Sequence, residues 1–568
     1  MKTALIKTCL LIFLVISSRA LFAENVVITV SDTIYNTINA DFFGIQYHSN
    51  TYNNKNATDK LDLLHLQRIR VWANINKFHP NPDTWNWEEL DRNVEEILNS
   101  GYKFILCLYQ SEEWFIGSPD KPWWKYPEAL TEWENAAYQL ADRYKNNIDM
   151  IIIFDEPNMM HQDKAYYITF KECAQLYIKA AQKIKEVNPD ILCGGPSAFG
   201  GWENGHWAKY VLNEPDGTKF LDFVSCNIFL SWDANDSDDT IMDRTIWYEE
   251  APQKIEKMLG DKCPSTLILD AYNASALWKK DGKLWTDPRN VSAFGGVYLA
   301  AALLHSAKGK FNVTLHWETI GGFGILDWYP QFKELAPYYT WKYLIDTAGL
   351  ADGAQIRGCT TTESPKENAP HQGGMNVNLY RIQPFAVRRT DGGISVILIN
   401  KYSIDTITAA VNVPDGMTRF AIYRYDKTRV TDCFLPLEKD FAKQTVELNC
   451  PPYSVSIIRF ETDSPVGINE DSGSLSEGYE FLQNYPNPFN SSTNIEYSLS
   501  KSSHVQMIVY NLLGREVRLL VNEQQKAGKH KIVWDGRDEL GNLLNSGIYT
   551  IRMNADHEIH SKKIVYLK

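Results

Sequence analysis

Eight short apolar segments alternate with longer stretches of helical periodicity between residues 40 and 345, and no other feature constrains the fold as strongly. The apolar segments are 42–48, 68–74, 103–110, 150–157, 191–197, 222–229, 266–273 and 312–318. A strand, a helix and a second strand in succession form a unit of a parallel sheet, because the helix carries the chain back across one face. Eight such units predict an α/β fold, the closed (β/α)8 barrel of the TIM type.

An open, doubly wound sheet is the alternative arrangement of the same elements. Such a sheet usually carries a glycine-rich phosphate-binding loop after its first strand. The sequence that follows residue 48 contains no such loop. The closed barrel is therefore the favoured prediction.

The regions outside the barrel are predicted from changes in sequence character. Helical periodicity is lost after residue 350, and β-rich runs such as GGISVILINKY and YSVSIIRFE replace it, which predicts a β-sandwich. The segment 463–478 is acidic and rich in Ser and Gly, which indicates a linker. The predicted organisation is a strand at 24–40 that joins the sandwich, a barrel at 41–348, the sandwich at 349–462, the linker, and a β-rich domain at 479–568.

The first 23 residues predict a secretory signal peptide. Two lysines precede a short apolar run at 9–16, and small residues follow it. The run is too short to span a membrane. We expect export of the chain with cleavage after Ala23, and no other segment has the apolar length of a transmembrane helix.

Charge and aromatic content narrow the range of partners. The net charge of −13 argues against nucleic acid and anionic membranes. The chain holds 17 Trp and 30 Tyr residues, and some cluster in loop-like sequence, such as Trp114, Trp123, Trp124 and Tyr126. Aromatic rings in loops suit the C–H faces of sugars, and packing within the core is the alternative.

The segment IIIFDEPNMM at 151–160 places two carboxylates directly after the fourth apolar strand. Side chains at the C-terminal ends of barrel strands form the active sites of such barrels. Hydrolysis of a glycosidic bond needs two carboxyl groups, one that protonates the leaving oxygen and one that attacks or activates water. Glu156 is placed to be the first of these groups.

The region 40–345 resembles clan A glycoside hydrolases, and within them family 39, the β-xylosidases and α-L-iduronidases. The resemblance is carried by FDEPN after the fourth strand, GGPS after the fifth, Trp317 on the eighth, and the runs GGFGILD and PYYTW. The sandwich that follows also fits. The resemblance implies a retaining double displacement with glutamates on strands four and seven.

Two positions near the predicted acid depart from the family pattern. Asp155 stands where the clan usually has Asn, and a carboxylate accepts hydrogen bonds but donates none. A second acid beside Glu156 also tends to raise the pKa of one member of the pair. Asn227 occupies a place on the sixth strand where the family commonly has His. We include Asp155 and Asn227 among the predicted substrate-binding residues.

The seventh strand departs most, because TLILDAYNAS contains no Glu. Aligned on Tyr-Asn, the nucleophile position falls on Ala271; aligned on the Asp-Ala pair, it falls on Asp270. A shift of one residue turns a strand side chain to the other face, so the two alignments have opposite consequences. Glu318, after Trp317 on the eighth strand, is a second candidate for the missing carboxylate, and retaining and inverting mechanisms both stay open.

Further residues are predicted to contact substrate or to support the acids, and each has a structural alternative. They are His48, Arg70, Tyr272, Asn273 and Trp317. No CxxC spacing or histidine cluster indicates a metal site, and no cofactor is expected.

The last segment contains the runs NYPNPFNSST at 484–493, NLLGREV at 511–517 and SGIYTIRM at 546–553. It closely resembles the C-terminal sorting domain of the type IX secretion system, which is an Ig-like β-sandwich. The resemblance implies the secretion machinery as a partner and export through the outer membrane, to a secreted or surface-attached state. An ordinary Ig-like accessory module is the alternative.

The sequence as a whole predicts a secreted glycosidase that cleaves plant or algal polysaccharides or oligosaccharides. Glu156 is its expected general acid/base, and Asp270 or Glu318 is its nucleophile or base. The alternative is a catalytically inactive barrel that binds carbohydrate, which the Ala271 alignment supports.

Overall fold

The computed structural model describes residues 26–49, 51–109, 122–159, 168–200, 204–277, 279–280, 283–284, 286–366, 370, 377–426, 445–462, 480–481, 489–499, 501–511, 516–539, 541–544, 547–555 and 558–566. The chain divides into two compact units, Met1–Val466 and Gly467–Lys568. The predicted signal peptide and linker lie outside the described residues.

The first unit contains the predicted barrel. Strand β1 (Val26–Thr37) precedes it. The strands that follow are β2 (Phe43–Gln46), β3 (Arg68–Asn74), β4 (Lys103–Tyr109), β5 (Met150–Ile153), β6 (Leu192–Gly194), β7 (Ala198–Phe199), β8 (Phe223–Phe229), β9 (Thr266–Asn273), β10 (Lys279–Lys280), β11 (Lys283–Leu284) and β12 (Val313–His316).

Eight of these strands close into a parallel barrel within the described residues. Their order around the barrel is β2, β3, β4, β5, β6, β8, β9 and β12, and β12 pairs back to β2. Gly194 of β6 pairs with Phe223 of β8, which closes the ring. Strand β7 extends the edge beside β8, and β10 pairs with β11 as a separate hairpin. The prediction of a (β/α)8 barrel is confirmed.

Helices pack around the barrel between its strands. They are α1 (Lys55–Leu61), α2 (Ile75–Phe78), α3 (Glu88–Asn99), α4 (Pro127–Tyr144), α5 (Phe170–Val187), α6 (Asn204–Asn213), α7 (Gly217–Phe220), α8 (Asp238–Arg244), α9 (Trp247–Leu259), α10 (Ala293–Gly309) and α11 (Ala336–Asp346). Helix α5 shows why such a segment starts where it does. Thr169 accepts a hydrogen bond from the backbone of Glu172, and the Glu172 carboxylate accepts one from the backbone of Thr169. This capping box satisfies two backbone donors that a helix start leaves unpaired.

The lower part of the barrel interior is apolar. The side chains that fill it are Ile105, Cys107, Met150, Ile152, Phe223, Ile268, Val313 and Leu315. Alternate residues of the same strands pack outward against the helices, as the period of two requires. Arg68 is buried at the N-terminal end of β3, and a second set of buried polar side chains lies toward the C-terminal ends of the strands and forms the site described below.

A second sheet follows the barrel in the same unit. Its strands are β13 (Gln355–Thr361), β14 (Ile382–Arg388), β15 (Ile394–Asn400), β16 (Ile407–Asn412), β17 (Arg419–Asp426), β18 (Thr445–Cys450) and β19 (Ser454–Glu461). Strand β1 joins it, antiparallel to β13 and parallel to β16. Apolar residues from both halves of the sheet share one core, which makes a β-sandwich. Its other apolar face packs on α10, which explains why that helix is buried almost all round.

The second unit contains β20 (Glu480–Phe481), β21 (Thr493–Leu499), β22 (Ser503–Asn511), β23 (Glu516–Gln525), β24 (Gly528–Trp534), β25 (Gly547–Ala555) and β26 (Glu558–Tyr566). One sheet has the order β20-β21-β24 and the other β23-β22-β25-β26. Apolar side chains of both sheets meet in a single core that includes Trp534. This unit is an Ig-like β-sandwich. Among the helices of the described residues, none is long and apolar enough to cross a membrane.

Candidate active site

The acidic end of β5 is held in an unusual backbone conformation. Phe154 and Glu156 have φ angles of 74° and 45°, in the left-handed region that costs about 1–2 kcal/mol for residues other than glycine. Hydrogen bonds to the segment after β6 hold this geometry. The Glu156 N–H donates to the Ser197 carbonyl at 2.7 Å, and the Ser197 N–H donates to the Phe154 carbonyl at 3.0 Å. Strained non-glycine residues of this kind cluster at functional sites.

Asn227, on the neighbouring side of the barrel, binds both acids. Its amide nitrogen donates to Asp155 Oδ1 at 3.1 Å and to Glu156 Oε1 at 3.0 Å. Asn227 lies on β8 and is buried. One side chain therefore fixes the orientation of two adjacent carboxylates.

Arg70 joins a third carboxylate to this group. Its guanidinium lies 3.0 Å from Asp155 Oδ2 and 3.1 Å from both oxygens of Asp270, and it also donates to Gln46 Oε1 at 3.0 Å. The indole of Trp72 donates to Asp155 Oδ2 at 3.1 Å. The carboxylate of Asp155 thus accepts from three side chains. Arg70 is buried and orients the acids from beneath, without reaching the mouth itself.

These surroundings raise the pKa of Glu156 to about 7. Burial is the largest cause, and the negative charge of Asp155 adds to it. The Asn227 hydrogen bond and the charge of Arg70 act in the opposite direction. A carboxyl group with a pKa near 7 keeps its proton at neutral pH often enough to donate it.

The seventh barrel strand contains a β-bulge at the position where the two sequence alignments disagree. Leu269 pairs with Cys226 and Ala271 with Asn227, so Asp270 is an extra residue relative to β8. The pairing with β12 shifts at the same place. Ala271 therefore lies at the level of Asn227, while Asp270 turns toward Arg70. Asp270 is 0% exposed, and burial raises the pKa of its carboxyl group.

Glu318 stands on the opposite side of the mouth. It follows β12, the eighth strand of the ring, while Glu156 follows β5, the fourth. Among the described residues its carboxylate makes no hydrogen bond or ion pair, although its backbone N–H donates to the Phe323 carbonyl at 3.0 Å. Burial raises the pKa of Glu318 to about 7. A half-buried carboxyl group without a partner is available to a ligand.

The other predicted site residues are placed as follows. His48 lies at the rim, with its ring edge on Trp328 at 5.8 Å. Trp317 faces the mouth, 5.0 Å from Trp72. Tyr272 does not face the mouth, because it packs outward against Tyr248 and is fully buried.

Asn273 is buried too, and it donates to the carbonyls of Trp317, at 2.5 Å, and Phe323, at 2.9 Å. It holds the segment that carries Glu318 rather than contacting substrate.

The aromatic residues of the mouth differ from those singled out in the sequence. Trp123 and Trp124 are buried, so packing is the correct interpretation for them, while Trp114 lies outside the described residues. Trp72 on β3, Trp232 shortly after β8 and Trp328 in the segment between β12 and α11 are instead exposed. The sequence signal for Trp72 is its position near the C-terminal end of an apolar strand, and that for Trp232 is its position shortly after one. No group of three or more His, Cys, Asp or Glu in the described part of the chain is arranged to hold a metal ion.

The two units are similar to different groups of known proteins. Residues 489–558 match the FlgD Ig-like domain family. No curated protein matches the chain in sequence.

The first unit is similar in fold to solved structures of glycoside hydrolases. The bifunctional glucanase-xylanase CelM2 from a metagenome library has a TM-score of 0.54 at 14% identity, over 77% of this chain and 99% of that chain. The α-L-arabinofuranosidase from Thermotoga maritima has 0.55 at 15%, over 77% and 99%. The GH39 enzyme from Xanthomonas axonopodis pv. citri has 0.52 at 14%, over 78% and 99%. At these identities the likeness establishes the shared barrel and sandwich architecture.

Proposed function

We propose that the first unit is a glycoside hydrolase with Glu156 as its general acid/base. One observation carries the proposal: Glu156 is fixed by Asn227 at the end of the fourth barrel strand, with its pKa raised to about 7. The similar structures include a glucanase-xylanase, an arabinofuranosidase and a family 39 enzyme, which supports the same reaction class. Plant or algal polysaccharides and their oligosaccharides are the proposed substrates.

We assign the second carboxylate to Glu318 rather than to Asp270. Glu318 follows the strand opposite that of Glu156, and its half-buried carboxyl group makes no hydrogen bond or ion pair with any other described residue. Asp270 is fully buried and bound to Arg70, so a sugar cannot approach it without breaking an ion pair in the barrel interior. Asp270 is instead a positioning residue, which holds Arg70 against Asp155.

The proposed mechanism uses the two acids on opposite sides of the scissile bond. Glu156 donates its proton to the leaving oxygen as the C–O bond breaks, and Glu318 attacks the anomeric carbon or removes a proton from the attacking water. The charge of Asp155 helps Glu156 to keep its proton until that step. NMR analysis of the product anomer that forms first distinguishes the two roles of Glu318. Retention of the anomeric configuration indicates a nucleophile, and inversion indicates a base.

A carbohydrate-binding barrel without catalysis is the second candidate. Ala271 favours it, because a methyl group lies on the seventh strand at the level of Asn227, where the family resemblance implies a glutamate. This candidate gives no role to Glu318, whose carboxylate has no partner within the described part of the chain.

Hydrolysis of a panel of aryl glycosides, neutral polysaccharides and uronate-containing polysaccharides tests the proposal. We expect the full-length wild-type chain to cleave at least one glycoside. The full-length Glu156→Gln variant should not cleave that glycoside. Binding of polysaccharide without any cleavage across the panel would favour the inactive barrel.

The pH dependence of kcat/KM is expected to be bell-shaped with its maximum near pH 7. Activity requires a protonated Glu156 and an ionised Glu318, and both pKa values lie at about 7. In Asp155→Asn the pKa of Glu156 falls because a neighbouring negative charge is removed, so the alkaline limb moves down by roughly one pH unit. The acidic limb, set by Glu318, stays in place.

Asp346→Asn is the matched control for this profile, since it removes one negative charge from an exposed position on α11. Profiles of kcat/KM against pH for the wild type and both variants check the prediction. An alkaline limb of Asp155→Asn that stays or rises would contradict it.

We further propose that the second unit directs export and that the mature enzyme is secreted or attached to the cell surface through the type IX machinery. The lysine-flanked apolar run at the N-terminus and the motifs at 484–493 and 546–553 support this. In a host that has this machinery, we expect a chain truncated before residue 479 to be retained inside the cell envelope. Equal amounts of full and truncated chain in the medium would argue for an ordinary accessory module.

A further inference from the structure

We propose that a line of aromatic rings across the barrel mouth binds consecutive units of a neutral polysaccharide chain. The rings belong to Tyr109, Trp72, Trp317, Phe229, Phe199 and Trp232, and we call them the aromatic line. This inference rests on the proposed function for the nature of the ligand. It extends that function to the length and charge of the substrate.

The six rings form an unbroken series. The separations between neighbouring ring centroids, in the order given, are 6.1, 5.0, 6.5, 6.0 and 5.9 Å. The series begins at the end of β4, passes the ends of β3, β12 and β8, and reaches β7 and the segment after β8. Phe229 is only 8% exposed, so it packs within the series and offers no open face, and the other five rings together extend beyond what a single sugar unit can cover.

The two outer tryptophans expose the most surface. Trp72 is 45% exposed and Trp232 is 54% exposed, although large aromatic side chains are usually buried. Rings with an open face and C–H donors from a sugar form favourable contacts of the kind that bind carbohydrate. A chain that lies along the line would cover both of them.

Arginine side chains contact the rings of both of these tryptophans. The guanidinium of Arg244 lies 5.7 Å from the Trp232 ring, and Asp236 and the Leu230 carbonyl fix it there. The guanidinium of Arg70 lies 5.2 Å from the ring of Trp72. Such contacts hold a ring in one orientation, so that less conformational entropy is lost when a ligand binds.

The line runs directly past the proposed catalytic acids. Trp72 donates its indole N–H to Asp155, and Phe229 lies two residues after Asn227 on β8. Trp317 immediately precedes Glu318. A chain bound along the line therefore has units on both sides of the bond that Glu156 and Glu318 would attack.

The charges around Trp232 favour a neutral chain. Asp233 is exposed beside it, and Asp238 lies on the helix that follows. Two nearby cations in the described part of the chain are already paired, Arg244 with Asp236 and Arg289 with Asp287. Asp238 lies 3.6 Å from Arg289, and Asn235 donates to Asp233, so both carboxylates have partners. The named carboxylates, Asp233, Asp236, Asp238 and Asp287, nevertheless outnumber the two guanidinium groups, so the approach of uronic acid units costs free energy.

Chain-length dependence of hydrolysis tests the inference. The ratio of kcat/KM for a neutral hexasaccharide to that for an aryl monoglycoside is expected to fall about tenfold in Trp232→Ala, since only the long substrate reaches this ring. Trp232→Phe should recover most of the loss, because it keeps an aromatic face. Tyr138→Ala, an exposed aromatic on α4, should leave the ratio unchanged. An unchanged ratio in Trp232→Ala would overturn the inference.

Binding without turnover separates this inference from the proposed function. Affinity electrophoresis of Glu156→Gln in gels containing neutral xylan, mixed-linkage glucan or polygalacturonate measures retention directly. We expect retention by a neutral polymer, no retention by polygalacturonate, and loss of retention when Trp232→Ala is added. If the polymer binds in this way but no glycoside is cleaved, the result contradicts the proposed function and supports binding by the aromatic line. Equal retention by polygalacturonate would overturn the neutral-chain assignment.

Discussion

Glu156→Gln is expected to lower kcat for a natural glycoside by about 10²–10⁴-fold, because the amide cannot donate a proton to the leaving oxygen. The loss should be much smaller for an aryl glycoside whose leaving group is already acidic, since that oxygen needs little protonation. Asn227 donates to Glu156 and can donate equally to the amide oxygen of Gln, so the local structure should persist. Steady-state kinetics on the two substrate types measure the difference.

Glu318→Gln is the companion variant and should behave differently. Its loss, also about 10²–10⁴-fold, should be similar for both leaving groups, because the group it removes acts on the anomeric carbon or on water. Asp270→Asn should mainly affect stability, since Asp270 contacts Arg70 and no solvent. Full activity in Glu318→Gln together with complete loss in a folded Asp270→Asn would move the second carboxylate back to the seventh strand.

The barrel could be predicted from the sequence because its strands are buried on both faces. Runs such as the one that ends at Ile153 are apolar without interruption, and helices with stop signals separate them. Glu156 could be predicted for the same reason, since it follows such a run together with Asp155, at a strand end where barrel enzymes place their catalytic groups. These inferences depend on local sequence alone.

The seventh strand could not be resolved in the same way. Strict alternation predicts that Asp270 and Ala271 face opposite sides of the strand. A β-bulge inserts an extra residue, so alternation no longer predicts the side that each residue faces. The bulge becomes apparent only in the pairing with β8 and β12, which local sequence does not record. The choice between the two alignments therefore depends on pairing with strands that are distant in the sequence.

The aromatic residues show the same limit. Trp123 sits in loop-like sequence but packs against Trp133 at 5.4 Å, whereas Trp72 lies within a strand and is exposed. Exposure at the end of a barrel strand depends on what the neighbouring loops cover. Composition indicated that aromatic residues matter here, and only the assembled strand ends identify which of them form the mouth.

Arg70→Met is expected to lower the free energy of unfolding of the barrel by about 3–5 kcal/mol, because it leaves the buried carboxylates of Asp155 and Asp270 without their common partner. The loss should depend on pH. Burial already raises the pKa of Asp270 in the folded protein, and removal of Arg70 raises it further. A carboxyl group whose pKa is higher in the folded state favours folding at low pH, so the deficit should be smaller at pH 5 than at pH 8.

Arg68→Met is the matched control, since Arg68 lies on the same strand, is also buried and also binds two aspartates. Its partners Asp41 and Asp149 are 31% and 48% exposed, so water can solvate them when the cation is removed. We therefore expect a smaller loss with little pH dependence. Urea unfolding followed by tryptophan fluorescence at both pH values measures the four differences. Equal, pH-independent losses in the two variants would mean that Arg70 stabilises the barrel by packing, and that the linked acids of the mouth do not depend on its charge.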